Sequence, residues 1–264
     1  MSGPLLHLSD LHFGTEQPAV VQALLAVAHR LAPEAIIVSG DVTQRARRSQ
    51  FAAARAFFEA LPAVPLLIVP GNHDIALFNL AERLLQPYAA FIRAFGRWGA
   101  IERTWASPHW QVTTVNTTRR WRHQQGQLSP AQIHRVAAAL RRATPEQARL
   151  VVVHQPLAAP AANEHGHLLR GPRELALARW AEAGADAVVG GHIHLPYVLP
   201  LAGLARPLAV AQAGSAVSRR VRHAAGNSFN VYRHLGYALR AERWDYTAGD
   251  FGCVQQTELA LERP

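Results

Sequence analysis

The sequence contains no lysine, so all 27 of its basic side chains are arginine, and they outnumber the 18 acidic side chains. With histidine neutral, the net charge of the chain is +9. A surplus of positive charge favours anionic partners, whether phosphorylated substrates, nucleic acids or membrane surfaces, but it does not select one of them.

Cysteine is nearly absent as well. Cys253 is the single cysteine of the chain, which excludes an internal disulfide and agrees with a reducing compartment. The sequence has no run of about eighteen apolar residues, so we expect no transmembrane helix. The first twelve residues turn polar too early for a secretory signal peptide. We therefore expect a cytoplasmic protein.

The chain also lacks long repeats, low-complexity segments and any linker of the length that separates domains. Its 264 residues, of which 49% are hydrophobic, can bury one large core. We therefore expect a single domain over residues 1–264. The segment 75–103, which has Pro87 inside a helical pattern, is expected to form a local helical excursion.

Short apolar runs alternate with helical patterns in the first part of the chain. Six runs predict strands: Leu5–Ser9, Ala35–Ser39, Leu66–Val69, Trp110–Val115, Leu150–Val153 and Ala185–Val189. Between them, residues 21–31 and 51–61 have the three-four apolar spacing of amphipathic helices. A capping box over 129–132 opens a helix that is predicted to reach about Arg142, and Gly171-Pro172 opens another.

The pattern changes after Pro200. Three further strands are predicted there, separated by turns that contain glycine: Leu208–Ala213, Ser228–His234 and Tyr237–Trp244. The expected fold class is α/β, a sandwich of two partly parallel sheets with helices on both outer faces, or four layers in the order αββα.

Residues that can bind metal follow five of the predicted strands. They are Asp10 and His12, Asp41, Asn72 and His73, His154, and finally His192 and His194. Because ligands of open α/β sheets gather outside the carboxyl ends of the strands, these side chains are expected to meet in one crevice.

The last pair lies in the stretch Gly190-Gly191-His192-Ile193-His194. In extended chain, side chains two positions apart point the same way, and glycine lets the backbone approach a ligand closely. His192 and His194 could therefore reach one small target together.

The whole set of metal-binding residues is too large for one tetrahedral zinc site, and it includes no cysteine. They suit two divalent ions that share a carboxylate, and the mixture of carboxylate and imidazole fits iron, manganese or zinc.

These motifs, in this order, resemble the calcineurin-like metallophosphoesterase family. The residues that carry the resemblance span positions 8–194: Asp10-x-His12, Gly40-Asp41, Gly71-Asn72-His73-Asp74, His154 and Gly191-His192-x-His194. Within the family, the stretches HLSDLHFG, GDVTQRA, VNTTR, GQLSPAQ and QAGSAVSRR are most similar to the bacterial branch that contains class III cyclic-nucleotide phosphodiesterases.

The resemblance implies a role for each donor. Asp10, His12 and His194 are expected to hold one ion, Asn72, His154 and His192 the other, and Asp41 is expected to bridge them. His73 corresponds to the family's histidine that is not a ligand, placed to bind the phosphate or to protonate the leaving oxygen. Asp74 is expected to cap backbone groups of its turn, with orientation of His73 as the alternative.

One branch of the family is disfavoured. Serine/threonine protein phosphatases carry GDxxDRG, whereas this chain has Gly40-Asp41-Val42-Thr43-Gln44-Arg45-Ala46, so the aspartate that pairs with the catalytic histidine is missing.

Two clusters of basic residues, 119–123 and 219–223, follow predicted strands. Most of their arginines are interpreted as solvated loop residues, but Arg219 and Arg220 are candidates for binding the anionic substrate, since a guanidinium matches pairs of oxygens. The loop 163–167 is a candidate lid over the metals.

We therefore expect a phosphoesterase with two metal ions, and within that class a phosphodiesterase that acts on a small anionic diester such as a cyclic nucleotide. Two alternatives stay open. One is a phosphomonoesterase or lipid-headgroup hydrolase, and the other is a nuclease or nucleic-acid-binding protein, which is not favoured and whose binding would fall steeply with salt.

Overall fold

The computed structural model describes residues 3–77, 79–222 and 225–262, and within these ranges it has twelve strands and six α-helices. The strands are β1 Leu5–Leu8, β2 Ala35–Val38, β3 Leu66–Ile68, β4 Thr104–Ala106, β5 Trp110–Thr114, β6 Ala148–Val152, β7 Ala187–Gly190, β8 Tyr197–Leu201, β9 Leu208–Gln212, β10 Ser228–His234, β11 Ala238–Thr247 and β12 Asp250–Ala260. The helices are α1 Pro18–Leu31, α2 Arg48–Ala60, α3 Leu80–Leu85, α4 Ala89–Phe95, α5 Pro130–Leu140 and α6 Arg173–Glu182.

The strands form two six-stranded sheets. The first has the order β12-β11-β10-β1-β2-β3 and the second the order β4-β5-β6-β7-β9-β8. Strands β1, β2 and β3 run parallel to one another, as do β5, β6, β7 and β9, whereas the other pairs are antiparallel. Both sheets are therefore partly parallel, as the sequence predicts.

Side chains along each strand alternate between the two faces of its sheet, and the apolar core is therefore divided into three layers. In β1, Leu6 and Leu8 pack with α1 and α2 on the outer face of the first sheet, while Leu5 points to the space between the sheets. On the outer face of the second sheet, Ile133 of α5 and Trp180 of α6 belong to a separate apolar cluster. Helices thus cover both outer faces, and the predicted four-layer αββα architecture is confirmed.

The predicted strands differ from the observed ones by at most three residues at either end. The sequence analysis missed β4, β8 and β12. Strand β8 contains Pro200, and it is an edge strand of its sheet, where a missing N–H costs little. Strand β12 is mostly exposed and lacks the apolar alternation that reveals a strand from its sequence.

The segment 75–103 contains α3 and α4, followed by a 3₁₀ turn at Gly96–Trp98, and Pro87 lies between the two helices. None of the helices in the described part of the chain is long and apolar enough to cross a membrane.

Candidate metal centre

The predicted donors lie just beyond the carboxyl ends of five strands drawn from both sheets. Asp10 and His12 follow β1, Asp41 follows β2, Asn72 and His73 follow β3, His154 follows β6, and His192 and His194 follow β7. Each of these strands runs parallel to a neighbour, so their carboxyl ends form one edge in each sheet. The two sheets bring the donors into one cleft.

A first cluster consists of Asp10, His12 and His194, whose candidate ligand atoms lie within 4.8 Å of one another. Nε2 of His12 is 3.3 Å from Nε2 of His194, and Oδ1 of Asp10 is 3.4 Å from the latter. Oδ1 of Asp10 is buried and has no hydrogen-bond partner. Three potential ligand atoms thus face one point, and a cation at that point would satisfy all three.

A second cluster consists of Asp41, His154 and His192, with Asn72 beside it. Nε2 of His154 lies 3.4 Å from Oδ1 of Asp41 and 3.2 Å from Oδ1 of Asn72. Both ring nitrogens of His192 are buried without a hydrogen-bond partner. An unpartnered buried imidazole is costly, and a cation held with His154 would satisfy it.

The electrostatic environment of Asp41 and His154 favours a positive charge at the second cluster. Burial disfavours the charged form of His154, yet the Asp41 carboxylate raises the pKa of His154 to about 9. Burial would likewise raise the pKa of Asp41, but His154 brings the pKa of Asp41 well below its usual range. The pair therefore favours a cation between its members, either a proton or a metal ion.

Asp41 lies between the two clusters. Its Oδ1 faces His154, and its Oδ2 is 3.7 Å from Nε2 of His12 in the first cluster. One carboxylate thus offers an oxygen to each side, which is the geometry that a bridging ligand requires.

Hydrogen bonds behind the clusters orient two of the histidines. Nδ1 of His154 donates to the carbonyl of Ser39 at 2.7 Å, and Nδ1 of His194 to the carbonyl of Arg220 at 2.5 Å. Each bond fixes the tautomer and aims Nε2 at its cluster, as backbone acceptors do for metal-binding histidines.

Backbone strain concentrates at the same residues. Of the eight non-glycine residues with positive φ in the described ranges, five are predicted ligands: Asp10, His12, Asp41, His192 and His194. A non-glycine residue in this region costs of the order of 1–3 kcal/mol, and such residues cluster at functional sites.

Glycine permits close approach at two positions. A Cβ atom on Gly191 would collide with Oγ of Ser9 and with the Asp10 carboxylate, which accepts a hydrogen bond from the N–H of His192. A Cβ on Gly71 would likewise collide with the Asp41 side chain. These glycines let ligand-bearing loops pack directly against the carboxylates.

His73 is near the clusters but differs from their members. It lies within reach of His12 and Asp41. However, its Nδ1 donates to the carbonyl of Gln44 at 2.8 Å, and its Nε2 accepts from Nη1 of Arg220 at 3.1 Å. Both nitrogens are therefore engaged, unlike those of His192, and this fits a residue that faces the substrate.

Asp74 caps backbone groups. Its carboxylate accepts from the N–H groups of Val42, Thr43 and Gly71 and from the Thr43 hydroxyl. Burial and the nearby Asp41 raise the pKa of Asp74 to about 6. These bonds tie the loop after β2 to the turn after β3, and none of them goes to the His73 ring.

The two arginines predicted to bind substrate have different surroundings. Arg220 lines a cavity of about 320 Å³ together with Asp41, His73 and His192. The side chain of Arg219 is exposed, and Arg219 is not among the described residues that line this cavity, so its role stays a prediction. His223, from the same basic cluster, lies outside the described residues.

An ion pair that the sequence analysis missed involves Arg222, which lines this cavity. The guanidinium of Arg222 contacts both carboxylate oxygens of buried Glu164 at 2.6 and 3.0 Å. Glu164 belongs to a 3₁₀ segment, Ala162–His167, whose His167 lines the cavity. The candidate lid therefore lies beside the donors. Nothing in the sequence joins these two charges, which are 58 positions apart.

The donor set as a whole fits two divalent cations. Unpartnered nitrogens and oxygens, mixed carboxylate, amide and imidazole donors, and a carboxylate between the clusters are all consistent with such a centre.

Known proteins share this sequence pattern and architecture. Residues 3–196 match the family described as calcineurin-like phosphoesterase. Glycerophosphodiester phosphodiesterase GpdQ of Enterobacter lignolyticus is 35% identical over 26% of this chain, and the match spans only 29% of that protein. This partial likeness to a phosphodiesterase agrees with the expected branch.

Two solved structures have the same fold. A dimetal phosphatase from Danio rerio has a TM-score of 0.69 at 13% identity, with coverage of 98% of this chain and 99% of the other. Purple acid phosphatase PPD1 from yellow lupin has a TM-score of 0.73 at 12% identity. The match covers 98% of this chain and 54% of the lupin protein. The family match covers well over half of the sequence, and so this chain belongs to the calcineurin-like phosphoesterase family.

Proposed function

We propose that this phosphoesterase is a phosphodiesterase that uses two metal ions and hydrolyses small anionic diesters, with cyclic nucleotides as the leading candidates. Asp10, His12 and His194 would hold one ion, Asn72, His154 and His192 would hold the other, and Asp41 would contribute to both. The ions are iron, manganese or zinc, which mixed nitrogen and oxygen donors accept.

The observation that carries this proposal is the position of Asp41. Its two oxygens face different clusters, one toward His12 and the other toward His154. When bound, two such cations supply the positive charge that stabilises the attacking and leaving oxygens of an in-line displacement.

The residues around the clusters bind and orient the substrate. Nη1 of Arg220 points into the cleft, where it contacts Nε2 of His73 and Oε1 of Gln44 and also lies 3.5 Å from Nδ1 of His12. A phosphate oxygen is a stronger acceptor than either, so Arg220 turns to the substrate when it binds. This frees Nε2 of His73, which takes up a proton from solvent and then hydrogen-bonds the leaving oxygen or passes that proton to it.

Three features support a diester over a phosphorylated protein. The aspartate of the protein phosphatase pattern is replaced by Gln44, and His73 contacts the backbone carbonyl of that residue instead. The cavity at the donors, about 320 Å³, is sized for a small molecule. The name of the partial relative also describes a phosphodiesterase.

The test is a panel of substrates assayed with manganese, iron and zinc. It compares bis-nitrophenyl phosphate, nitrophenyl phosphate, cyclic AMP and single-stranded DNA by kcat/KM. The proposal predicts faster turnover of the diester than of the monoester. Faster monoester turnover would make the chain a phosphomonoesterase, and DNA hydrolysis that falls steeply with salt would make it a nuclease.

A further inference from the structure

Helix α3, Leu80–Leu85, exposes its apolar side chains and buries a charged one. Its leucines at 80, 84 and 85 are exposed, with 65%, 52% and 79% of their surface accessible, whereas Arg83 is buried. The guanidinium of Arg83 donates to the backbone carbonyls of Ala76, Arg120 and Arg122. A helix on the surface of a globular protein normally presents the opposite faces.

The exposed leucines belong to a larger apolar face. In the described part of the chain nine large apolar side chains are exposed, and five of them are Leu80, Leu84, Leu85, Ile92 and Trp121. Arg120 joins them into one surface, since its guanidinium contacts the carbonyl of Leu84 and lies 5.9 Å from the centre of the Trp121 ring. We call these five side chains the leucine face. Apolar patches of this kind mark interaction sites.

A cavity adjoins this face. It measures about 970 Å³, and its walls include Ile92 and Trp121 of the leucine face, the apolar side chains Phe91, Phe95 and Trp98, and Arg120. Apolar surface thus continues from the exterior into the protein.

The segment that carries the leucine face has a surplus of positive charge. Between Asn79 and Arg122 the sequence has seven arginines, of which Arg83 is buried and Arg97 pairs with Glu59, and two glutamates. Of the two, Glu102 is engaged by Arg135, and Glu82 accepts from Asn79. A second copy of this chain would bring arginines against arginines about a two-fold axis, which like charges oppose. The surface therefore complements an anionic partner.

We propose that the leucine face docks on an anionic phospholipid bilayer. The leucines enter the boundary between headgroups and acyl chains, Trp121 lies at the interface where tryptophan is enriched, and Arg120 meets lipid phosphates. The leucine face is formed by α3, α4 and the loop after β5. None of its five residues lines the cavity at the metal centre, and the proposal does not depend on the proposed substrate.

The experiment is co-sedimentation of the purified full chain with vesicles at low salt. One set of vesicles is pure phosphatidylcholine, and the other contains about one third phosphatidylglycerol. We expect binding to the anionic vesicles that weakens with added salt, because juxtamembrane arginines each contribute roughly a fivefold gain near an anionic surface. Arg120→Gln should accordingly lower the partition coefficient by about fivefold.

A matched pair of triple variants tests the leucines. Leu80→Ser/Leu84→Ser/Leu85→Ser should lower vesicle binding by about tenfold or more, because these side chains supply the apolar contact. Leu175→Ser/Tyr237→Ser/Val254→Ser removes exposed apolar side chains elsewhere and should leave binding within about twofold of wild type. Trp121→Ser is an independent single variant that should also weaken binding.

Three results would overturn the proposal. These are no binding of the wild type to anionic vesicles, equal binding by the leucine variant and its control, and a dimer in sedimentation velocity that the leucine substitutions dissociate while vesicles are not bound. The last result would assign the face to a second copy of the chain.

Discussion

Arg220 donates a hydrogen bond from Nη1 to Nε2 of His73 over 3.1 Å. The same nitrogen lies 3.2 Å from Oε1 of Gln44 and 3.5 Å from Nδ1 of His12, so a single guanidinium group contacts the proposed catalytic histidine and the edge of the first metal cluster. Its neighbour Arg219 is exposed and does not line the cavity at the donors. The two arginines, predicted as a pair, are therefore expected to behave differently.

Arg220→Ala should lower kcat/KM for cyclic AMP and for bis-nitrophenyl phosphate by about 10–100-fold, the range expected for a lost hydrogen bond to a charged group. Arg219→Ala is the matched control and should stay close to wild type. Metal content, measured by elemental analysis, should not change in either variant. Equal effects of the two substitutions would refute a specific role for Arg220.

His73→Ala should reduce turnover by about 10²–10⁴-fold, the usual contribution of general acid–base help. Metal content should stay near that of the wild type, because both ring nitrogens of His73 already have partners outside the clusters. The defect should be smaller for nitrophenyl esters, whose leaving group needs little protonation. Loss of metal in step with activity would instead make His73 a ligand.

Gly191→Ala should abolish metal binding and activity, since the added methyl group would collide with Ser9 and with the Asp10 carboxylate. Gly252→Ala is a suitable control, because a Cβ at this position of β12 meets nothing within 4 Å. Circular dichroism should show both variants folded, and elemental analysis should separate them. Normal metal content in Gly191→Ala would show that the loop tolerates a side chain there.

The burial of His7 should make the free energy of unfolding fall in acid. It lies between the sheets, bonded to Ser39 and Tyr232, and burial lowers the pKa of His7 from 6.5 to about 3. Below pH 6.5 the His7 side chain takes up a proton in the unfolded chain but stays neutral in the folded chain. The free energy of unfolding is therefore highest above pH 6.5 and declines as the pH falls toward 3.

The measurement for His7 is urea unfolding at pH 7.5 and at pH 5 for wild type and His7→Gln. The free energy of unfolding of the wild type should fall by about 2 kcal/mol more than that of the variant over this interval. The variant serves as the control for every other group that titrates there. Parallel losses in the two proteins would mean that His7 is protonated in the folded state.

Much of this fold is visible in the sequence because its central strands are short, buried and apolar. Runs such as Ala35–Val38 and Leu66–Ile68 are fully buried, and polar donors follow them at once. The proximity of Asp10, Asp41 and His154 follows from that arrangement. Their roles as ligands stay a prediction.

Other features depend on contacts that local sequence does not encode. Strand β12 has a largely exposed, polar sequence and forms because β11 offers it an edge. The pairing of Glu164 with Arg222, and the different surroundings of Arg219 and Arg220, depend on loop conformations that no periodicity reveals. The exposed leucines of α3 look in sequence like an ordinary core face.

The central claim is a centre of two metal ions built around Asp41. Its most direct test is elemental analysis of the wild type, Asp41→Asn and the surface control Asp250→Asn after loading with manganese, iron or zinc and removal of excess metal. The account predicts about two ions per chain for the wild type and for Asp250→Asn, and clearly fewer for Asp41→Asn, because Asp41 faces both clusters. A wild type that saturates at one ion, or an Asp41→Asn variant that retains two, would contradict it.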